Sequence, residues 1–132
     1  MNIAKIMIPK VSTAFLRDTM TVRQGLEVMR HHGYTAVPVL DKDEHYIGSV
    51  TEGDFLRKIL ELGTTDFREL EKYSLKELVR EDFCTPLSID AEENEVMDAI
   101  LKQNFVPVVD GRNYMCGIVT RRSVIQYMYN KQ

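Results

Sequence analysis

The sequence predicts a mixed α/β (α+β) fold made of two copies of one β-α-β-β-α unit, packed as a pseudo-twofold pair. Three observations predict it. The first is an internal repeat: Val37-Pro38-Val39-Leu40-Asp41 and Gly48-Ser49-Val50-Thr51 recur, 69 positions later, as Val106-Pro107-Val108-Val109-Asp110 and Gly117-Ile118-Val119-Thr120. The second is that the apolar period alternates between helical and strand-like in the same order in both copies. The third is composition. With 132 residues, 44% hydrophobic and 28% charged, the chain has material for a core and is not of a disordered class.

The elements follow in order. An extended segment around Thr13–Leu16 precedes an N-cap at Thr21. Val22, Leu26 and Met29 then fall at i, i+4 and i+7, giving a helix that ends near Gly33. Val37–Leu40 is a short β-branched run bounded by a polar turn at Asp41–Glu44, and Tyr46–Thr51 is a second strand. Phe55, Leu56, Ile59 and Leu60 make a second helical face. The second copy repeats this with an extended Thr85–Ile89, a helix over Ala91–Lys102, strands at Val106–Val109 and Tyr114–Thr120, and a helix over Arg121–Tyr129.

Upstream the offset becomes 71, pairing Lys5, Leu26 and Met29 with Lys76, Met97 and Ile100; a contraction near Lys102–Asn104 reconciles the two. The copies are placed at 1–62 and 75–132, with a polar linker at 63–74. Pro38 and Pro107 lack a donor, so each is expected to open its strand or lie at an edge. Met29 and Met97 belong on core faces.

Composition also narrows function. Lys plus Arg number 17 and Asp plus Glu 20, a net charge of −3, so no nucleic-acid coat is expected and any anion site is a local cluster. No apolar run approaches the roughly 20 residues that span a bilayer, and Met1–Pro9 is too interrupted for a signal peptide. The expectation is a cytoplasmic protein without a membrane partner. Cys84 and Cys116 have no metal-like spacing and read as free thiols. His31 and His32 are adjacent, so they cannot share a helical face as a metal pair, and His45 falls in a turn; all three read as surface residues. Glu92-Glu93-Asn94-Glu95 opens a helix, where negative charge is favoured. No nucleophile–base constellation or phosphate-cleaving loop is present at recognisable spacing, so the chain is read as no enzyme and without a metal.

Thr51-Glu52-Gly53-Asp54 follows the second strand. Threonine and aspartate at this spacing make a capping box, or else offer a hydroxyl to a phosphate and a carboxylate to ribose hydroxyls. In the second copy Ser123 replaces the aspartate and Arg121-Arg122 follow Thr120. Cations at a helix start oppose the dipole, so helix stability does not explain them. They are solvated surface residues or a bidentate phosphate clamp. Tyr34 is a core or interface tyrosine, or a ring on which a base stacks.

The order β-α-β-β-α, the repeated h-P-V-h-D (h, hydrophobic) and the repeated G-h-h-T resemble a pair of CBS domains, a Bateman module, over nearly the whole chain. Thr51–Asp54 matches the end of that family's G-h-h-[ST]-x-x-[DN] motif. The segments Gly33–Asp41, Gly117–Arg122, Asn104-Phe105-Val106 and Ile6-Met7-Ile8 resemble the small stand-alone CBS proteins of Gram-positive bacteria that bind cyclic di-AMP. The resemblance implies a non-catalytic regulatory sensor that binds an adenine nucleotide between the repeats, dimerises as a disk, and signals to a regulated protein. It implies no cofactor beyond the nucleotide ligand. It places Ser12, Ala14, Tyr34, Thr35 and Ala36 near Thr120, Arg121 and Arg122, and Thr85, Phe105 and Val106 near Thr51 and Asp54 as a second nucleotide site. The position of Ser12 is a lysine in that subgroup, and Lys10 lies two residues away. The alternatives are an AMP, ADP or ATP sensor centred on Thr51 and Asp54, and a ligand-free dimeric scaffold.

Overall fold

The structure, a computed structural model, describes residues 2–131. The helices are α1 (Ile3–Ile6), α2 (Val22–His32), α3 (Glu52–Leu62), α4 (Phe67–Leu70), α5 (Glu93–Lys102) and α6 (Arg121–Asn130). The strands are β1 (Ile8–Pro9), β2 (Leu16–Arg17), β3 (Ala36–Leu40), β4 (Tyr46–Thr51), β5 (Leu87–Ser88), β6 (Phe105–Val109) and β7 (Met115–Thr120). Both copies therefore carry the β-α-β-β-α order. The chain divides into two compact units, Ala14–Phe83 and Met1–Thr13 with Cys84–Gln132.

In the unit Ala14–Phe83 the sheet order is β2-β3-β4, with β2 parallel and β4 antiparallel to β3. Local chemistry sets the helix ends. Thr21 Oγ1 accepts the Gln24 N–H at 3.1 Å while Gln24 returns a bond to the Thr21 N–H at 2.9 Å. Gly33 closes α2 at φ 68°, a left-handed turn that glycine adopts without a Cβ penalty. Leu16, Val22, Met29, Val37, Val39, Val50, Phe55 and Leu75 bury the facing surfaces of sheet and helices.

The other unit has the sheet order β1-β7-β6-β5 and a core of Ile3, Ile6, Leu87, Val96, Ile100, Val106, Val108, Val119 and Val124. The compact units and the sequence repeats divide the chain differently. The first residues of the first copy join the second: β1 pairs with β7 through Ile8↔Ile118 and Pro9↔Gly117. The first residues of the second copy join the first: Arg80 exchanges both backbone hydrogen bonds with Ser49, at 2.9 and 3.0 Å. The stretch 63–74, polar by composition, also sends Leu70 fully into the core of Ala14–Phe83.

Pro38 and Pro107 correct the expectation that each would open a strand or lie at an edge. Both sit mid-strand in interior strands, opposite Ser49 and Ile118. Ser49 turns its N–H and C=O away from Pro38 toward Arg80, so this pairing asks no donor of the proline. On the other side β2 begins to pair only at Val39, one residue later. The short edge strand is what lets proline occupy the middle of the sheet.

The repeated aspartates brace the two hairpins. Asp41 Oδ1 accepts the N–H groups of Asp43 and His45 at 2.8 and 3.0 Å, and Asp110 Oδ1 accepts those of Arg112 and Tyr114 at 2.8 and 3.1 Å. Burial works against the Asp41 carboxylate, but the His45 and Asp43 backbone N–H groups and the His45 ring outweigh it and hold it below its ordinary value. Cys84 is buried and Cys116 half-buried, neither in a disulfide, and burial pushes the Cys116 thiol up.

Candidate functional site

In the unit Ala14–Phe83 the left-handed turn at Gly33 delivers Tyr34, Thr35 and Ala36 to the start of β3. Ala36 stands opposite Thr51, and the Thr35 carbonyl accepts the Glu52 N–H at 2.9 Å. Hydrogen bonding thus brings the β3 start and the α3 start side by side. Tyr34 is 46% exposed and its ring lies against His32, with centroids 5.8 Å apart and planes 26° apart. It is a surface aromatic rather than a core tyrosine. Ala14 is half-buried against the core.

Thr51 and Asp54 form a capping box. The Thr51 N–H donates to Asp54 Oδ2 at 2.8 Å and the Asp54 N–H to Thr51 Oγ1 at 3.2 Å. The Asp54 side chain is 2% exposed and ion-paired to Arg80 Nε at 3.2 Å and Arg57 Nη1 at 3.3 Å. The carboxylate read as a ribose acceptor is therefore covered in this structure. Sequence spacing gives no sign of Arg80, which lies 26 residues from Asp54 and reaches it through its pairing with Ser49.

In the unit Met1–Thr13 with Cys84–Gln132, Thr120 caps α6. Its Oγ1 accepts the Ser123 N–H at 3.0 Å, and its own N–H donates to Ser123 Oγ at 2.9 Å. The two following arginines separate. Arg121 donates from Nε to the Ile100 carbonyl at 2.9 Å and from Nη2 to the Leu101 carbonyl at 3.3 Å, satisfying the end of α5. Arg122 is exposed and has no hydrogen bond or ion pair among the described residues. No acidic residue stands in the first turn of α6, so its guanidinium is a cation beside unneutralised backbone N–H groups. That pairing suits a phosphate oxygen.

The remaining residues fall as follows. Ser12 is exposed at the end of a 3₁₀ turn, Lys10–Ser12. The segment is no strand, so Lys10 and Ser12 point about 120° apart rather than sharing a face. Phe105 is buried and stands opposite Thr120, and Val106 is fully buried. Both side chains belong to the core. Thr85 is exposed, its N–H donating to Gln103 Oε1 at 3.3 Å.

Comparison with known proteins places this arrangement. The family model described as CBS domain matches residues 3–61 and 76–130. The chain belongs to the CBS-domain family. This CBS pair is 25% identical to cyclic di-AMP receptor B of Bacillus subtilis over 125 residues, covering 95% of the chain and 84% of the relative. It is 27% identical over 136 residues to an uncharacterised protein of Methanocaldococcus jannaschii, of whose length it spans only 32%. Among solved structures it is similar to the Listeria monocytogenes CbpB protein in complex with c-di-AMP, with a TM-score of 0.84 and 25% identity, covering 99% of this chain and 97% of that one.

Proposed function

We propose that this CBS pair is a non-catalytic cytoplasmic sensor that binds cyclic di-AMP and signals its presence to a partner protein. The observation that carries the reading is likeness to a cyclic di-AMP receptor over 95% of this chain and 84% of that one, combined with an exposed Arg122 at the start of α6 that has no partner among the described residues. In this reading Tyr34 stacks on an adenine, Thr35 and Ala36 offer backbone groups to its edge, and Ala14 leaves it room. Ser12, Thr120 and Arg122 meet the phosphates, with Arg121 holding the α6 start in place. An exposed aromatic contributes about 1–3 kcal/mol per stacked base. Two phosphodiesters match guanidinium and helix-start donors better than they match a carboxylate.

The AMP, ADP or ATP reading centres on Asp54, whose side chain is covered by two arginines, and it is the weaker of the two. The site of Thr51, Asp54, Thr85, Phe105 and Val106 stays with that reading. The proposed state is a homodimer. Leu56 and Leu60 on α3 are 57% and 71% exposed, and Ile125 and Tyr129 on α6 are 67% and 79% exposed, so each helix shows an i, i+4 apolar pair that a second copy would cover. Among the described residues no helix is long and apolar enough to cross a membrane. The test is calorimetric titration with cyclic di-AMP, AMP and ATP. Binding of cyclic di-AMP near the micromolar range, about −8 kcal/mol, with weak mononucleotide binding supports the proposal. Equal or tighter AMP binding contradicts it.

A further inference from the structure

We infer that Arg80 is a specificity-determining residue: its side chain closes the Thr51–Asp54 motif against mononucleotides. The inference rests on the proposal that this CBS pair binds adenine nucleotides, and it says which of them are refused. A ribose diol needs a carboxylate it can reach. Asp54 has one, at the start of a helix and next to the Thr51 hydroxyl, but its side chain is only 2% exposed. Oδ2 accepts the Thr51 N–H at 2.8 Å, and Oδ1 lies 3.2 Å from Arg80 Nε and 3.3 Å from Arg57 Nη1.

The two arginines differ in how firmly they are held. Arg57 is 64% exposed and reaches Asp54 from one turn further along the same helix. The Arg80 side chain is 43% exposed, but its backbone is fixed at two points and its guanidinium at one besides Asp54. Its backbone exchanges two hydrogen bonds with Ser49. Its guanidinium lies over the Phe83 ring, 4.7 Å from the centroid. Its carbonyl sits where only glycine leaves room, because a Cβ on Gly48 would come 2.6 Å from the Arg80 oxygen. A diol entering here must displace a pinned cation from a buried carboxylate, and it brings no charge to replace it. The depression beside this pair, about 200 Å³ and lined by Asp54, Arg57, Lys58, Glu61, Glu77 and Arg80, is small for a nucleoside.

The experiment is calorimetric titration of AMP and cyclic di-AMP into four full-length proteins: wild type, Arg80→Ala, Arg80→Met, and Arg80→Ala with Asp54→Asn. Arg80→Met keeps the aliphatic stem and serves if the alanine variant folds poorly. The expected result is that wild type gives no AMP heat up to about 1 mM, that removing the guanidinium improves AMP affinity at least about tenfold, and that Asp54→Asn cancels the gain. Cyclic di-AMP affinity stays within about twofold throughout. No AMP binding in either folded Arg80 variant overturns the inference, as does AMP binding by wild type that is lost on removing Arg80. Absence of cyclic di-AMP binding in every protein counts against the proposed function instead and leaves the AMP comparison readable.

Discussion

Arg121 Nε donates to the Ile100 carbonyl at 2.9 Å, fastening the first turn of α6 to the last turn of α5. Its neighbour Arg122 has no such partner among the described residues. Two adjacent residues of one type thus carry different loads. Arg121→Ala is expected to cost about 1–2 kcal/mol of stability, because charge-assisted bonds to helix-end carbonyls are lost. Arg122→Ala should stay within about 0.5 kcal/mol of wild type, as surface substitutions do. Urea denaturation of the two variants checks this; equal losses would refute the division of labour.

Gly117 is enclosed by the neighbouring strand. A Cβ there would lie 2.2 Å from the Ile8 carbonyl oxygen, so Gly117→Ala must push β1 away from β7. The expected cost is about 3 kcal/mol. At Gly111 a Cβ would meet nothing within 4 Å, so Gly111→Ala is the matched control and should change little. Denaturant midpoints measured side by side would show the contrast, and similar midpoints would contradict it.

Leu70 lies in a stretch whose composition reads as linker, yet it is fully buried. Leu70→Ala is expected to cost about 2–5 kcal/mol, the range for a large-to-small change in a core. A loss below about 0.5 kcal/mol would show that the stretch is not part of the core of Ala14–Phe83.

The Asp41 brace predicts a pH dependence. Its carboxylate is held below the unfolded value of 3.8, so the stability it contributes is present above that value and is lost as pH falls through the lower folded pKa. Asp41→Asn removes the charge while keeping an acceptor oxygen. Melting temperatures of the two proteins should differ at neutral pH and converge as the solution is acidified below about pH 4. A gap that is constant with pH would contradict the assignment.

Much of this was legible in the sequence because it is local. The Thr21, Thr51 and Thr120 caps, the Gly33 stop and the Asp41 and Asp110 turns each depend on residues within four positions of one another, and spacing alone reveals them. The repeat then doubled each signal. What stayed hidden is non-local. Pro38 sits mid-strand because Ser49 turns its backbone toward Arg80, a residue 31 positions away. The leading segments exchange copies through Ile8 and Arg80, which no periodicity marks. The role of Arg121 depends on where α5 ends, and the cover on Asp54 depends on a side chain arriving along the edge of β4. The Thr51–Asp54 spacing was legible as both a cap and a ligand motif; the geometry shows the cap formed and the carboxylate covered.

Titrating cyclic di-AMP into wild type and Arg122→Ala by calorimetry decides whether this guanidinium meets the ligand's phosphates. Wild type is expected to bind near the micromolar range and the variant to lose at least about a hundredfold, about 2.7 kcal/mol, with the melting temperature unchanged. Unaltered binding by Arg122→Ala, or no binding by wild type, would contradict this.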